Sequence, residues 1–181
     1  MPADGADLCR RVLHARGRPC ARRASASGRL VGTGTRAAAP ADAVVFRRRR
    51  DAAHAARRGD GFDYEPVFRT LAPRIRAADL AVVNLETTLT RRSRYTGYPL
   101  FRSPAALADA LRDAGVDVAV LANNHCCDNG AEGIRTSVEE LDRCGIRHTG
   151  AFADSADYKK NNPLYLTHCG IRLAIVNYTY G

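Results

Sequence analysis

The sequence predicts an α/β fold with a mainly parallel βαβαβ core and a C-terminal hairpin. Three observations predict it. Two apolar runs, residues 79–85 and 116–122, each lead into polar residues. Between and after them lie two segments whose apolar residues recur at helical spacing. Two short apolar runs then flank Cys169-Gly170. Strands alternating with helices call for crossover connections, and these give parallel neighbours.

Each element has its own signal. Asp63 and Pro66 mark a helix start, and Val67, Phe68, Leu71 and Ile75 fall on one face. Pro73 lies inside that pattern, so a kink or early end is expected there. Residues 79–85 read as a buried strand, and residues 87–102, rich in Thr, Arg, Gly and Tyr, as a loop. Ser103-Pro104 reads as a helix start, with Ser as cap and Pro at the first helical position. Leu107, Ala108, Leu111 and Ala114 supply the buried face, and Gly115 the stop. Residues 116–122 are the second strand. Ile134, Val138 and Leu141 mark a second amphipathic helix ended by Gly145, and residues 146–148 begin a third strand. Residues 164–167 and 171–178 form the hairpin, with Tyr178 and Tyr180 expected to pack on the sheet.

Charge divides the chain at about residue 59. The formal net charge of +9 comes from residues 1–58, which hold 14 Arg and 4 Asp, whereas residues 59–181 carry about −1. Fifteen Ala and 14 Arg make up half of that first segment, and no sustained period runs through it. Three readings of it compete: a basic tail for nucleic acid or anionic lipid, a solvated disordered extension, or text outside the natural reading frame. No aromatics interleave with the arginines, so no nucleic-acid partner is expected. The globular text is assigned to residues 59–181. The six cysteines show no C-x-x-C pair and no small secreted framework, and adjacent Cys126 and Cys127 are not expected to bridge easily. No run of 18 apolar residues predicts a transmembrane span, and the first seven residues do not read as a signal peptide.

In open parallel sheets, ligands bind beyond the carboxyl ends of the strands. The first strand runs into Asn84-Leu85-Glu86-Thr87, and the second into residues 123–130, Asn-Asn-His-Cys-Cys-Asp-Asn-Gly. A carboxylate, amides and an imidazole converging there suit a divalent metal such as Mn, Zn or Fe. Glu86 could ligate metal, an Asn oxygen could join it, and His125 could donate a proton. The competing reading is that these residues form turns, with Asp128 or Asn129 capping the next helix. Arg91, Arg92 and Arg94, with Tyr95 and Tyr98, could grip an anion or simply form an exposed loop. Cys126 reads as a loop cysteine, since no base for a reactive thiol is identified.

The run from Asp79 to Glu86, followed by Leu121-Ala122-Asn123-Asn124-His125, Asp128 and Gly130, resembles the bacterial capsule-synthesis CapA family. The likeness continues through Thr149-Gly150 to residues 175–180 and covers about residues 59–181. The resemblance implies a calcineurin-like metallophosphoesterase fold and a role in poly-γ-glutamate capsule synthesis. It also implies that Glu86 is the metal-bridging acid, Asn124 a metal ligand, and His125 the residue facing the scissile ester. Asn123 and Asp128 would shape the loop. An anionic polymer or phosphoester would be the substrate, the capsule machinery a partner, and the cell envelope the location.

Two departures limit that implication. The family opens with a strand and a metal-binding Gly-Asp pair, expected here around residues 44–50, where none stands; Gly59-Asp60 follows no strand. Asp51 and His54 are candidate remnants. The family's later His motifs are also absent, since only His148 and His168 follow His125. The chain therefore reads as the front part of an incomplete family domain, with weak metal binding and no efficient hydrolysis. The alternatives are a non-catalytic binding or assembly subunit with the same fold, and a nucleic-acid-binding protein using residues 1–58.

Overall fold

The computed structural model describes residues 56–58, 61–168 and 170–180. The expectations for residues 1–55, Asp51 and His54 included, and for Gly59-Asp60 lie outside the described residues.

Strand β1 (Ala56–Arg58) pairs antiparallel with β2 (Gly61–Asp63), across the change in composition. The expected first helix is two. Helix α1 (Glu65–Phe68) is followed by α2 (Ala72–Ala77), and Pro73 lies in the first turn of α2 rather than kinking a continuous helix. The first turn is the one place in a helix where a missing N–H costs nothing.

The core sheet is β3 (Val82–Asn84), β6 (Val118–Val120) and β7 (Arg147–Thr149), in the order β3-β6-β7 and parallel throughout. Helix α3 (Ala106–Ala114) precedes β6, and α4 (Gly130–Arg143) joins β6 to β7. Helix α3 buries Ala108, Leu111 and Ala114 and stops at Gly115. Helix α4 buries Val138 and Leu141, with Gly145 just past its end.

Alternation along the strands sorts the two faces. Val83 and Ala119 join Ile75, Leu111, Val138 and Leu141 in the main core on the helical side. Val82 and Val118 face the other way, onto Leu164, Leu166, Leu173 and Ile175. Those four belong to the antiparallel hairpin β8 (Leu164–His168) and β9 (Ile171–Ile175). The fold is thus α/β, with a parallel core and a C-terminal hairpin covering its second face.

Three expectations fail. The supposed loop at 87–102 contains β4 (Thr88–Thr90), which pairs parallel with β5 (Arg102–Pro104). Ser103 is therefore no helix cap: it is buried in β5, and its hydroxyl meets Thr87 Oγ1 at 2.9 Å. Pro104 has no N–H to give the ladder, so Ala105 N bonds Thr90 O at 2.9 Å instead. Helix α5 (Ser155–Asn161) was not expected; Asp154 caps it, accepting from the N–H groups of Ala156 and Asp157. Tyr178 and Tyr180 are 73% and 85% exposed, so they do not pack on the sheet.

Candidate functional site

Glu86 lies two residues beyond the end of β3, and Asn123, Asn124 and His125 follow the end of β6. Because the strands are parallel neighbours with Asn84 beside Val120, both clusters sit at the same carboxyl edge. The ladder runs on past the strands, through Leu85 N to Val120 O at 3.0 Å and Leu121 N to Thr149 O at 2.9 Å.

Asn123 joins the two strand ends. Its Nδ2 donates to Leu85 O at 3.0 Å, Leu121 O at 3.1 Å and Asn84 Oδ1 at 3.2 Å, while its Oδ1 accepts from His125 N at 3.0 Å. A half-buried side chain with one oxygen and one amino group is nearly saturated by these bonds.

His125 is braced on two sides. Its Nδ1 lies 2.8 Å from Asp128 Oδ2, and its ring meets that of Phe101 edge to face with centroids 4.4 Å apart. The same Asp128 oxygen accepts from Phe101 N at 2.6 Å. A carboxylate only accepts, so in the neutral ring the proton belongs on Nδ1 and Nε2 carries the lone pair. Asp128 is therefore no cap for α4. Asn129 stands at the cap position, but its side chain makes no cap bond. It bonds instead to Thr88 Oγ1, Phe101 O and the Arg102 guanidinium.

Glu86 is half-buried and Asn124 exposed, and neither side chain makes a hydrogen bond to another described residue. They are the unspent oxygen donors of this edge. Among the described residues, no group of three or more His, Cys, Asp or Glu could hold a metal ion. Two donors fall short of the roughly four to six ligands a divalent ion takes. The residues in hand thus fit part of a metal sphere and not a whole one.

The arginine loop serves the fold. Arg91 pairs with Glu140 at 2.6 Å and Glu139 at 2.8 Å, and Arg92 with Glu132 at 2.8 Å, all on α4. Glu140 also meets Arg143 at 2.7 Å, which in turn holds Asp109 of α3 at 2.6 Å. Burial would raise the Glu140 carboxyl, but the Arg143 and Arg91 guanidiniums outweigh it and hold it below its usual value. Two residues after His125, the Cys127 thiol is pushed up by its hydrogen bond to Cys126 and by burial, so it does not form a ready nucleophile.

A family model described as Bacterial capsule synthesis protein PGA_cap matches residues 33–181. The chain belongs to this capsule-synthesis family. The match begins inside the Ala/Arg-rich segment, earlier than the resemblance read from motifs. Among curated relatives, the chain is 28% identical to the capsule biosynthesis protein CapA of Bacillus anthracis over 124 residues, 66% of this chain and 29% of that protein. It is 35% identical to a probable polyglutamine synthesis accessory protein of Mycobacterium tuberculosis over 80 residues, 43% of this chain and 21% of the relative. An uncharacterized protein of Sinorhizobium fredii is 32% identical over 94 residues, 48% of this chain and 20% of its own length. The chain thus spans less than a third of each of these relatives.

Two residues around the capsule-family edge escaped the sequence reading, Phe101 and the role of Asn177, while Asn129, expected as a cap, turned out to bind β4. Phe101 and Asn129 fix His125, Asp128 and β4 through contacts 13 to 41 positions apart in sequence. Asn177 reaches back 55 positions, accepting from Ala122 N at 2.6 Å and donating to Ala122 O at 3.4 Å. It does so across Gly150, where a Cβ would lie 2.2 Å from Asn177 Oδ1. The one available signal was the position of Thr149-Gly150 and Asn177 within the family-like text.

Proposed function

We propose that this chain serves capsule or cell-envelope polymer synthesis through an edge related to metal-dependent phosphoesterases of calcineurin-like fold. In this reading Glu86 and Asn124 contribute metal ligands, and His125 exchanges a proton with a phosphoester or related oxygen through Nε2. Asn123 and Asp128 hold the turn that carries them. The substrate class is an anionic polymer or a phosphoester, and the capsule machinery at the envelope is the partner.

One observation carries the reading: a histidine braced on Nδ1 on the same carboxyl edge of adjacent parallel strands as two unspent oxygen donors. The small donor set sets its limit. The residues in hand bind Mn, Zn or Fe weakly and do not hydrolyse esters efficiently. The same small set favours a second reading, a non-catalytic binding or assembly subunit with this fold.

Metal titration by calorimetry, with turnover of a generic phosphodiester, tests both. Weak binding that weakens further in Glu86→Gln, without turnover, supports the partial site. No binding at all favours the assembly subunit. Micromolar affinity with clear turnover that His125→Ala abolishes overturns the partial-site reading.

A further inference from the structure

Cys126 and Cys127 occupy the turn between His125 and Asp128, with their sulfurs 3.6 Å apart. Cys127 is exposed and Cys126 partly so. The turn beneath them is fastened by its backbone: Cys126 N bonds Asn123 O at 3.2 Å, and Gly130 N bonds Cys127 O at 2.9 Å. Both thiols therefore project side by side from a fixed frame.

Two kinds of bridge could join them, and geometry chooses between them. A disulfide closes the sulfurs to about 2.05 Å and usually sets the Cα atoms about 4.4 Å or more apart. Adjacent residues across a trans peptide have Cα atoms only about 3.8 Å apart, short of that usual range, so a bridge there would be strained. A single large atom bound to both sulfurs asks much less. With metal–sulfur bonds of about 2.3 Å at a tetrahedral angle, the sulfurs lie about 3.8 Å apart. The observed 3.6 Å is close to that bite. A linear two-coordinate ion would need about twice the bond length, roughly 4.6 Å, and does not match.

We infer that Cys126 and Cys127 form a bidentate dithiol site for a bent-coordinated thiophilic centre, such as a tetrahedral soft cation or trivalent arsenic. The site takes two protein sulfurs, and its remaining positions go to water or a small external ligand. Binding of a divalent cation releases the two thiol protons as two metal–sulfur bonds form. The site is separate in chemistry from the oxygen donors Glu86 and Asn124 and does not depend on the phosphoesterase reading. Its occupation stiffens the turn that carries His125 and Asp128.

Phenylarsine oxide is a suitable probe: its arsenic–oxygen group takes up both thiol protons, releases one water and forms two arsenic–sulfur bonds. The reduced chain is treated with a stoichiometric amount, and the adduct is located by peptide mass spectrometry. The expected result is one arsenical bridging Cys126 and Cys127, removed by excess small dithiol but not by the same concentration of monothiol. Cys126→Ser and Cys127→Ser should each weaken uptake by about 100-fold or more, as loss of a chelating partner does. Cys144→Ser should leave it unchanged, because that thiol is buried. Cadmium titration, followed by sulfur-to-metal absorption, should show the same dependence. Mapping of the adduct to other cysteines, unchanged uptake in either single variant, or spontaneous closure of the pair to a disulfide overturns the inference.

Discussion

Replacing Gly150 with Ala tests how the C-terminal segment holds the end of β6. The added Cβ would lie 2.2 Å from Asn177 Oδ1, 2.6 Å from Ala122 N and 2.9 Å from Ala122 Cβ. Gly150 also has φ +98, where a side chain is strained. The backbone strain costs roughly 1–2 kcal/mol. Displacing Asn177 gives up two hydrogen bonds at about 1 kcal/mol each, and the buried Ala122 N–H left without a partner adds about 1 kcal/mol more. The total is about 4–5 kcal/mol, a large share of an ordinary domain's stability. With a urea slope of about 2 kcal/mol per molar, the midpoint should fall by roughly 2 M. Urea unfolding followed by circular dichroism measures it. Asn177→Ala alone, which loses the same two bonds and leaves the same N–H unpaired, should cost about 3 kcal/mol. The double variant should cost less than the sum by about 3 kcal/mol, because Gly150→Ala alone already gives up the Asn177 bonds. A midpoint shift below about 0.5 M for Gly150→Ala, or strict additivity in the double variant, would refute the clamp.

Other outcomes follow from the same geometry. Asp128→Ala should release the Nδ1-protonated tautomer of His125, read from its imidazole nitrogen shifts by NMR, and lower stability by about 1–2 kcal/mol. Glu140 is held below its ordinary value, so its ionisation stabilises the fold above the unfolded carboxyl pKa of about 4.3. That contribution is lost as pH falls through the lower folded value. Wild-type stability should therefore drop more steeply than that of Glu140→Gln below about pH 4.5, in acid titrations of the thermal midpoint. Gly133→Ala should cost about 1–3 kcal/mol, since its Cβ would come 2.6 Å from Asn129 Cβ and 3.2 Å from Thr88 Cβ. Arg102→Ala provides a check, because it frees Asn129 Oδ1 without crowding α4.

The core sheet and its two crossover helices were legible because burial leaves a periodic trace. Val83 and Ala119 must be apolar to meet Leu111 and Leu141, whatever else surrounds them. The polar strand ends at Glu86 and Asn123–His125 were legible for a related reason: a buried strand has to stop at the sheet edge. What stayed hidden was long-range pairing of short polar segments. Thr88–Thr90 looks like loop text because three residues cannot show a period, and its partner lies beyond an arginine-rich excursion. Ser103-Pro104 carried a genuine helix-start signal, but the helix begins two residues later, after a strand that uses the Ser hydroxyl elsewhere. The role of Arg91 depended on Glu139 and Glu140, nearly 50 positions away, where no local rule reaches. For the candidate site, sequence could name His125 but could not foresee Phe101 against its ring.

The bond from Ala122 to Asn177 has a consequence for cooperative opening. This amide just past β6 is capped by a side chain 55 residues downstream, not by a neighbouring strand. Its hydrogen-exchange protection is therefore that of the downstream segment, in which Val176, Tyr178 and Tyr180 are exposed and contribute little burial. Each local release of that segment uncovers the peptide that leads into Asn123. The polar edge is thus fastened twice, to the sheet through Asn123 and to the C-terminal residues through Ala122 and Asn177.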